Sequence, residues 1–439
     1  MIQILHTSHN SFSSAFETIL MRGKQDMQEA AKKAEVLLHE VCTFGFEALL
    51  KQIERFDNWN PTTLQDIIIS KEQCLEAYNA LDSVTKENLH IAYDRIYAFH
   101  QKQKQKSWFD FEPNGSILGQ IYTPIERVGL YIPGGKAAYP SSLLMNAIPA
   151  IVAGVGEIVV CTPTPYANTN PVLLAALHIC GISEIYKLGG VSAIGLMAYG
   201  LEDPHIKKTD FISGPGNIFV AAAKKLVFGE VGIDMIAGPS EIAIIADSCA
   251  NSKYIAYDLL SQAEHDEMAS SFLFVSDEGL AKEVSKHIEE ILPTLPRSAI
   301  AQASIQNRGA IIVCKDLQES IALCNALAPE HLEILVPNAF ELLPSIKHAG
   351  AIFLGEYSPE PMGDYLAGPN HTLPTGGSAR FFSPLGVDNF VKKSSLISLS
   401  ATAMRELGSS CAHLAHLENL DAHSLAVQAR LTNKQYKEQ

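Results

Sequence analysis

Paired cysteines, long apolar runs and an excess of positive charge are all missing from this chain of 439 residues. Its eight cysteines are scattered, and the closest two, Cys314 and Cys324, are ten residues apart. That spacing excludes a Cys-x-x-Cys zinc clip and argues against a disulfide scaffold. The most apolar window, 142–161, is broken by Asn146, Pro149, Gly154, Gly156 and Glu157. It reads as a buried helix and strand, not a membrane span. Lysine and arginine number 33 against 48 acidic residues, for a net charge of −15. Nucleic acids and anionic membranes draw their affinity from cationic surface, so neither is an expected partner. The N-terminus "MIQILHTSHN" lacks a basic start followed by an apolar core. No secretory signal is expected, and the expected location is cytoplasmic.

What is present is a folded chain, with 47% hydrophobic and 18% charged residues. Apolar positions at three- and four-residue spacing predict helices over 12–57 and 71–106, with "LQDIIIS" between them as a short strand. "QKQKQKSW" is a solvated basic helix end. From residue 119 the pattern changes. "GQIYTPIERVGLYIPGG" reads as short strands ending in a Gly-rich turn. Strands then alternate with helices in two series. The first is "EIVVCTP", "EIYKLGG" and "TDFISGPGN"; the second is "EIAIIAD", "SFLFVSD", "GAIIVCKD" and "AIFLGE". Such alternation implies parallel sheets covered on both faces, here two α/β domains. The last 45 or so residues predict a small, polar, helical appendage.

Four stretches could carry chemistry. "SGPGN" runs from a strand into a helix, and a glycine turn at a helix N-terminus suits an anion. However, Phe219 stands where a dinucleotide fingerprint needs its third glycine, so a plain tight turn explains the spacing equally well. "AGPSE" is either a turn between domains or a cleft loop presenting Ser240. In "LLSQAEHDEMASS", Gln262 and His265 are three apart and share a helix face. Two such residues are a solvated face unless further ligands join them. Those could come from "GEYSPEPMGDYLAGPNHTLPTGGSAR", a loop too long to be idle, which contains Asp364 and His371. Finally, "APEHLEILV" sets Glu330 and His331 directly before an apolar strand, where an adjacent acid and base suit proton transfer.

"SGPGN", "AGPSE", "SQAEHD", "APEHLEI", "GDYLAGPNHTLPTGGSAR" and "ENLDAH" follow one another as they do in histidinol dehydrogenases, which the chain resembles from about residue 57 to its last helix. The resemblance implies oxidation of L-histidinol to L-histidine through bound L-histidinaldehyde, the last two steps of histidine biosynthesis, with NAD as acceptor. It implies one zinc ion per site held by Gln262, His265 and Asp364, with His423 from the other subunit of a homodimer whose C-terminal domain completes the site. Substrate contacts fall on Ser240, His331 and Glu418 as well as on the metal ligands. Cofactor contacts fall on Tyr131, Ser192 and Asn217. Ser192 stands in "GGVSAI" where the family has a glutamine, and Asn419 stands where it has a glycine. Glu330 and His331 are the implied catalytic pair, and no cysteine matches a catalytic position. The expected division is an N-terminal helical arm (1–25), a discontinuous first α/β domain (26–130 with 240–380), a second, NAD-binding α/β domain (131–239) and a C-terminal helical dimer-contact domain (381–439). From the residues alone, a dehydrogenase acting on another amino alcohol, a zinc hydrolase using Glu330 and a non-catalytic binding protein stand as rivals.

Overall fold

The computed structural model describes residues 2–22, 24–134 and 139–432. The strands in chain order are β1 (Gln3–His6), β2 (Trp108–Phe111), β3 (Ile117–Pro124), β4 (Arg127–Tyr131), β5 (Glu157–Thr162), β6 (Glu184–Lys187), β7 (Phe211–Ser213), β8 (Gly232–Ile233), β9 (Glu241–Ala246), β10 (Ser270–Val275), β11 (Ala310–Val313), β12 (His331–Leu335), β13 (Ala351–Leu354) and β14 (Val391–Ser398). The chain forms two compact units. One comprises Met1–Gln103 with Ile125–Phe390, the other Lys104–Pro124 with Val391–Gln439.

The larger unit holds two parallel sheets, as the alternation of strands and helices predicts. Six strands run in the order β1-β11-β10-β9-β12-β13, and five in the order β6-β5-β4-β7-β8. Their central strands are apolar on both sides. All six residues of β9 and of β10 are buried, Phe272 and Phe274 among them. Each such side chain contributes roughly 1.5–3 kcal/mol on burial. In the five-stranded sheet the chain steps outward from β4 to β6, then returns to β7 on the other side. The crevice of such a sheet opens at the carboxyl ends of the strands flanking that switch, here β4 and β7. At the opposite ends, Arg127 ties β4 to β5 and β6 through Glu157 and Glu184, each at 2.6 Å.

The structure adds detail to these expectations and corrects one of them. The N-terminal arm begins with a strand, β1, which pairs with β11 at the sheet edge. Helix Lys24–Phe44 packs against helices Gly190–Tyr199 and Ile218–Val227, which flank the five-stranded sheet. Its stripe Ala30, Ala34, Leu38 and Val41 joins the core around Ile194, Leu196 and Met197. Periodicity shows that a helix has a face to bury, not which sheet it covers. "LQDIIIS" is mostly helical: Leu64–Ile67 form one turn, and only Ile68 makes a lone bridge, to Tyr186. The Asp66 carboxylate explains the turn, since it accepts from the N–H and hydroxyl of both Thr62 and Thr63, which pull its pKa down to about 2. The Gly-rich turn after β4 runs into residues 135–138, outside the described ones.

The smaller unit is not purely helical. Strand β14 pairs antiparallel with β3, which pairs with β2. Nothing near 391–398 in sequence announces this pairing, because the partner lies some 270 residues earlier. Two helices follow, Ala401–Leu417, capped by Ser400, and Asp421–Leu431. No helix among the described residues is long and apolar enough to cross a membrane.

Candidate active site

The parallel register sets His331 beside Ile242 and Ala351, so the amino ends of β9, β12 and β13 lie level. Just ahead of them come Ser240 and Glu330. Glu330 leaves helix Leu317–Leu327 through Ala328, whose φ of 50° ends the helix abruptly. Helix Ser252–Ala263 follows β9 and leads back towards β10, ending in Gln262 and, just beyond its cap, His265. Helix Glu360–Tyr365 follows β13 and supplies Glu360 and Asp364 on one face, four residues apart.

Glu330 and His331 are both buried, and both bind one residue. The Glu241 N–H donates to Glu330 Oε2 at 2.7 Å, and the Glu241 carbonyl accepts from His331 Nδ1 at 3.0 Å. That leaves His331 Nε2 unprotonated in the neutral ring, 3.8 Å from Asp364 Oδ1 and 4.0 Å from Glu360 Oε1. Burial pushes the Glu330 carboxyl well above the usual range, with the charges of Glu241, Asp364 and Glu360 adding to it and the Glu241 N–H opposing it. Burial also pushes His331 and His265 below 6.5, against the pull of Asp364.

Ligand atoms of His265, Glu360 and Asp364 all lie within 4.8 Å of one another. Both amide atoms of Gln262, fully buried, have no protein partner, and neither do His331 Nε2 and Glu360 Oε1. Buried polar atoms are nearly always paired, so this concentration of unpaired ones suits a cation and a polar ligand. Neutral imidazole, carboxylate and amide oxygen form a donor set that fits a zinc ion. His371 lies beside them, its Nδ1 3.0 Å from the Asp364 carbonyl. Ser240 is half-buried at the rim.

Tyr131, Ser192 and Asn217 gather at the carboxyl side of the five-stranded sheet. The Tyr131 hydroxyl accepts from the Gly190 N–H at 3.2 Å, and burial raises its pKa to about 12. Asn217 caps helix Ile218–Val227 with its side-chain oxygen and is exposed. Gly214 before it has φ 127°, and a Cβ there would lie 2.0 Å from the Tyr131 carbonyl oxygen, so only glycine fits. The buried ion pair of Lys224 and Asp234 grips the same turn, Lys224 holding the Gly214 carbonyl and Asp234 its N–H, both at 2.9 Å. Ser192 fits a cofactor least: buried, it donates to the Gly189 carbonyl at 2.9 Å.

Glu418 and His423 belong to the smaller unit. Glu418 caps helix Ala401–Leu417, His423 lies in the first turn of Asp421–Leu431, and both are exposed. Asn419 between them has φ 59°, a left-handed conformation that suits asparagine as well as glycine.

The histidinol dehydrogenase family model matches residues 20–431. This chain belongs to the histidinol dehydrogenase family. A histidinol dehydrogenase of Helicobacter hepaticus is 66% identical over 96% of both chains. One of Sulfurimonas denitrificans is 58% identical over 98% of this chain and 99% of the other. The crystal structure of the enzyme from Elizabethkingia anophelis superposes with a TM-score of 0.90 at 35% identity, covering 98% of each chain.

Sequence reasoning passed over Glu360, Glu333, Glu241 and Arg22. Two of these left a signal. Glu360 stands one helical turn before Asp364. Glu333 is a lone acid in the apolar run "HLEILV", and it is fully buried.

Proposed function

We propose that the chain oxidises L-histidinol to L-histidine in two successive two-electron steps, with the aldehyde held between them. The observation that carries this reading is the buried Glu330–His331 pair beside the close cluster of His265, Glu360 and Asp364, with the Gln262 amide and Glu360 Oε1 left unpaired. Zinc would sit among Gln262, His265 and Asp364, with His423 supplied by a second copy of the chain, and NAD against Tyr131 and Asn217. Zinc held there would help to orient the substrate and, being redox-inert, would leave the oxidation to NAD as hydride acceptor.

The chain's own part is proton handling and orientation. His331 Nε2 takes the proton of the substrate hydroxyl as the carbon loses hydride. The contact from Nδ1 to the Glu241 carbonyl keeps Nε2 free for it. Glu330, once ionised, takes a proton from the water that adds to the aldehyde. The hydrate then loses a second hydride and a proton, leaving the carboxylate. Ser240, and Glu418 from the C-terminal domain of the second copy, would hold the substrate's polar groups. Burial of Glu330 and His331 excludes bulk water from the aldehyde.

The test is stoichiometric. Purified, zinc-loaded protein receives limiting L-histidinol and excess NAD, and NADH is counted per histidinol consumed. The expected result is two. One means that oxidation stops at the aldehyde; none removes the dehydrogenase reading.

A further inference from the structure

Glu241 opens β9 and holds both members of the catalytic pair by its backbone: its N–H binds Glu330 and its carbonyl binds His331. Its own carboxylate is held by Arg22, from the N-terminal arm some 220 residues away. Arg22 Nε donates to Oε1 at 2.5 Å, and Nη2 donates to Oε2 at 2.9 Å. Nη2 also reaches the Leu327 carbonyl at 3.3 Å, and the guanidinium lies 5.7 Å from the centre of the Phe272 ring. The side chains are only 8% and 3% exposed. Leu327 ends the helix that leads, three residues later, to Glu330. Arg22 therefore joins the Glu241 side chain, at the start of β9, to the backbone that leads into β12.

A buried ion pair is weak evidence of stability, since apolar side chains of the same volume often serve as well or better. What a bidentate guanidinium adds is a fixed geometry at both carboxylate oxygens. Building on the function proposed above, we infer that Arg22 is a positioning residue for the Glu330–His331 pair: by gripping the Glu241 carboxylate and the Leu327 carbonyl together, it holds the Glu241 peptide groups where they orient the acid and the base. The substrate never touches it.

Three variants decide the matter: Arg22→Met, Arg22→Lys and the double change Arg22→Met with Glu241→Met. In Arg22→Met, kcat falls by about 30- to 100-fold, as expected for a small misplacement of reacting groups. KM for histidinol stays within about threefold and bound zinc is unchanged, because substrate and metal contacts remain. Amide exchange at Glu241 accelerates by about tenfold while Phe272–Val275 stay protected, which a general loss of stability cannot produce. Arg22→Lys, which keeps the charge, recovers most of kcat. The double variant carries no unpaired buried charge and regains thermal stability, yet its kcat stays low because the tie is gone. Should Arg22→Met fail to fold, the double variant gives the same reading. A kcat within about twofold of wild type in Arg22→Met, or restored in the double variant, overturns the proposal. So does protection lost equally across the sheet. If the wild-type protein does not oxidise histidinol, the proposed function fails, and the exchange pattern alone decides the role of Arg22.

Discussion

Asp364 Oδ1 lies 3.8 Å from His331 Nε2, the ring nitrogen left without a hydrogen bond. The two groups have opposite effects on a proton at that atom. Burial disfavours the imidazolium, whereas the carboxylate favours it. Burial prevails, so the resting ring is a neutral base at neutral pH.

The pH profile follows. For histidinol, kcat/KM rises with pH as His331 loses its proton, through a pKa below 6.5, and this group imposes no further change above it. His331→Asn removes the base and lowers kcat by roughly 10²- to 10⁴-fold. Steady-state rates from pH 5 to 9 check both. A profile whose acid limb lies well above 6.5 assigns the base elsewhere.

Glu330 behaves in the opposite sense. Its carboxyl is held protonated by burial to well above the ordinary range, and it must ionise before it can activate water. Oxidation of added histidinaldehyde should therefore keep rising with pH after histidinol oxidation has levelled. Glu330→Gln should slow the aldehyde step by at least about tenfold more than the alcohol step. Single-turnover traces on each substrate separate the two, and equal losses refute the division of labour between Glu330 and His331.

Removing metal tests the donor set. The ligand atoms of His265, Glu360 and Asp364 lie within 4.8 Å of one another, and the Gln262 amide has no hydrogen-bond partner. Chelation should lower Tm, and added zinc should restore it. A ligand at about a thousandfold its Kd contributes about 4 kcal/mol to the folded state. His265→Asn should lose bound zinc and activity together, measured by elemental analysis beside the assay. Full activity in a metal-free variant removes His265 from the ligand set.

Some of this was written locally and some was not. The alternation of apolar strands and helices from β4 to β13 follows from spacing, because the central strands are buried on both faces. Glu330 and His331 stand out because an acid and a base adjoin a strand. The strand at 391–398 and the destination of helix Lys24–Phe44 depend on partners far away in the chain, which periodicity cannot name. Arg22 and Glu241 were silent for the same reason: an arginine after a helix and a glutamate at the start of a strand are ordinary until folding joins them.

Glu333 gives a stability prediction whose sign is fixed by its environment. It lies fully buried in β12, accepting from the Glu360 N–H at 2.8 Å. Burial raises its pKa well above 4.5, and Asp258 adds to the rise. The folded protein thus keeps a proton that the unfolded chain releases. The resulting stability is fully present below about pH 4.5 and is lost as pH rises towards the folded pKa, at about 1.4 kcal/mol for each unit of elevation. Glu333→Gln imitates the protonated side chain and does not titrate. It should match wild type at pH 4 and exceed it at pH 8 in denaturant unfolding. Equal stability at both values shows that the folded protein holds Glu333 ionised.

Ser192 marks where this chain departs from the cofactor contacts that its resemblance implies. Its hydroxyl donates at 2.9 Å to the Gly189 carbonyl, within the first turn of helix Gly190–Tyr199, and the side chain is buried. A hydroxyl bound inside its own turn has no proton left for a nicotinamide or a ribose, and serine is too short to reach where a glutamine amide would. Ser192→Ala should therefore leave the Kd for NAD within about twofold of wild type, since the hydrogen bond lost is local. Asn217→Ala serves as the contrast. It removes a helix cap worth about 1 kcal/mol as well as an exposed amide, so it should both lower Tm and weaken NAD binding. Titration calorimetry with NAD on the two variants separates them. A Kd raised by more than about fivefold in Ser192→Ala, more than the loss of a local hydrogen bond explains, shows that the hydroxyl turns outward when the cofactor binds.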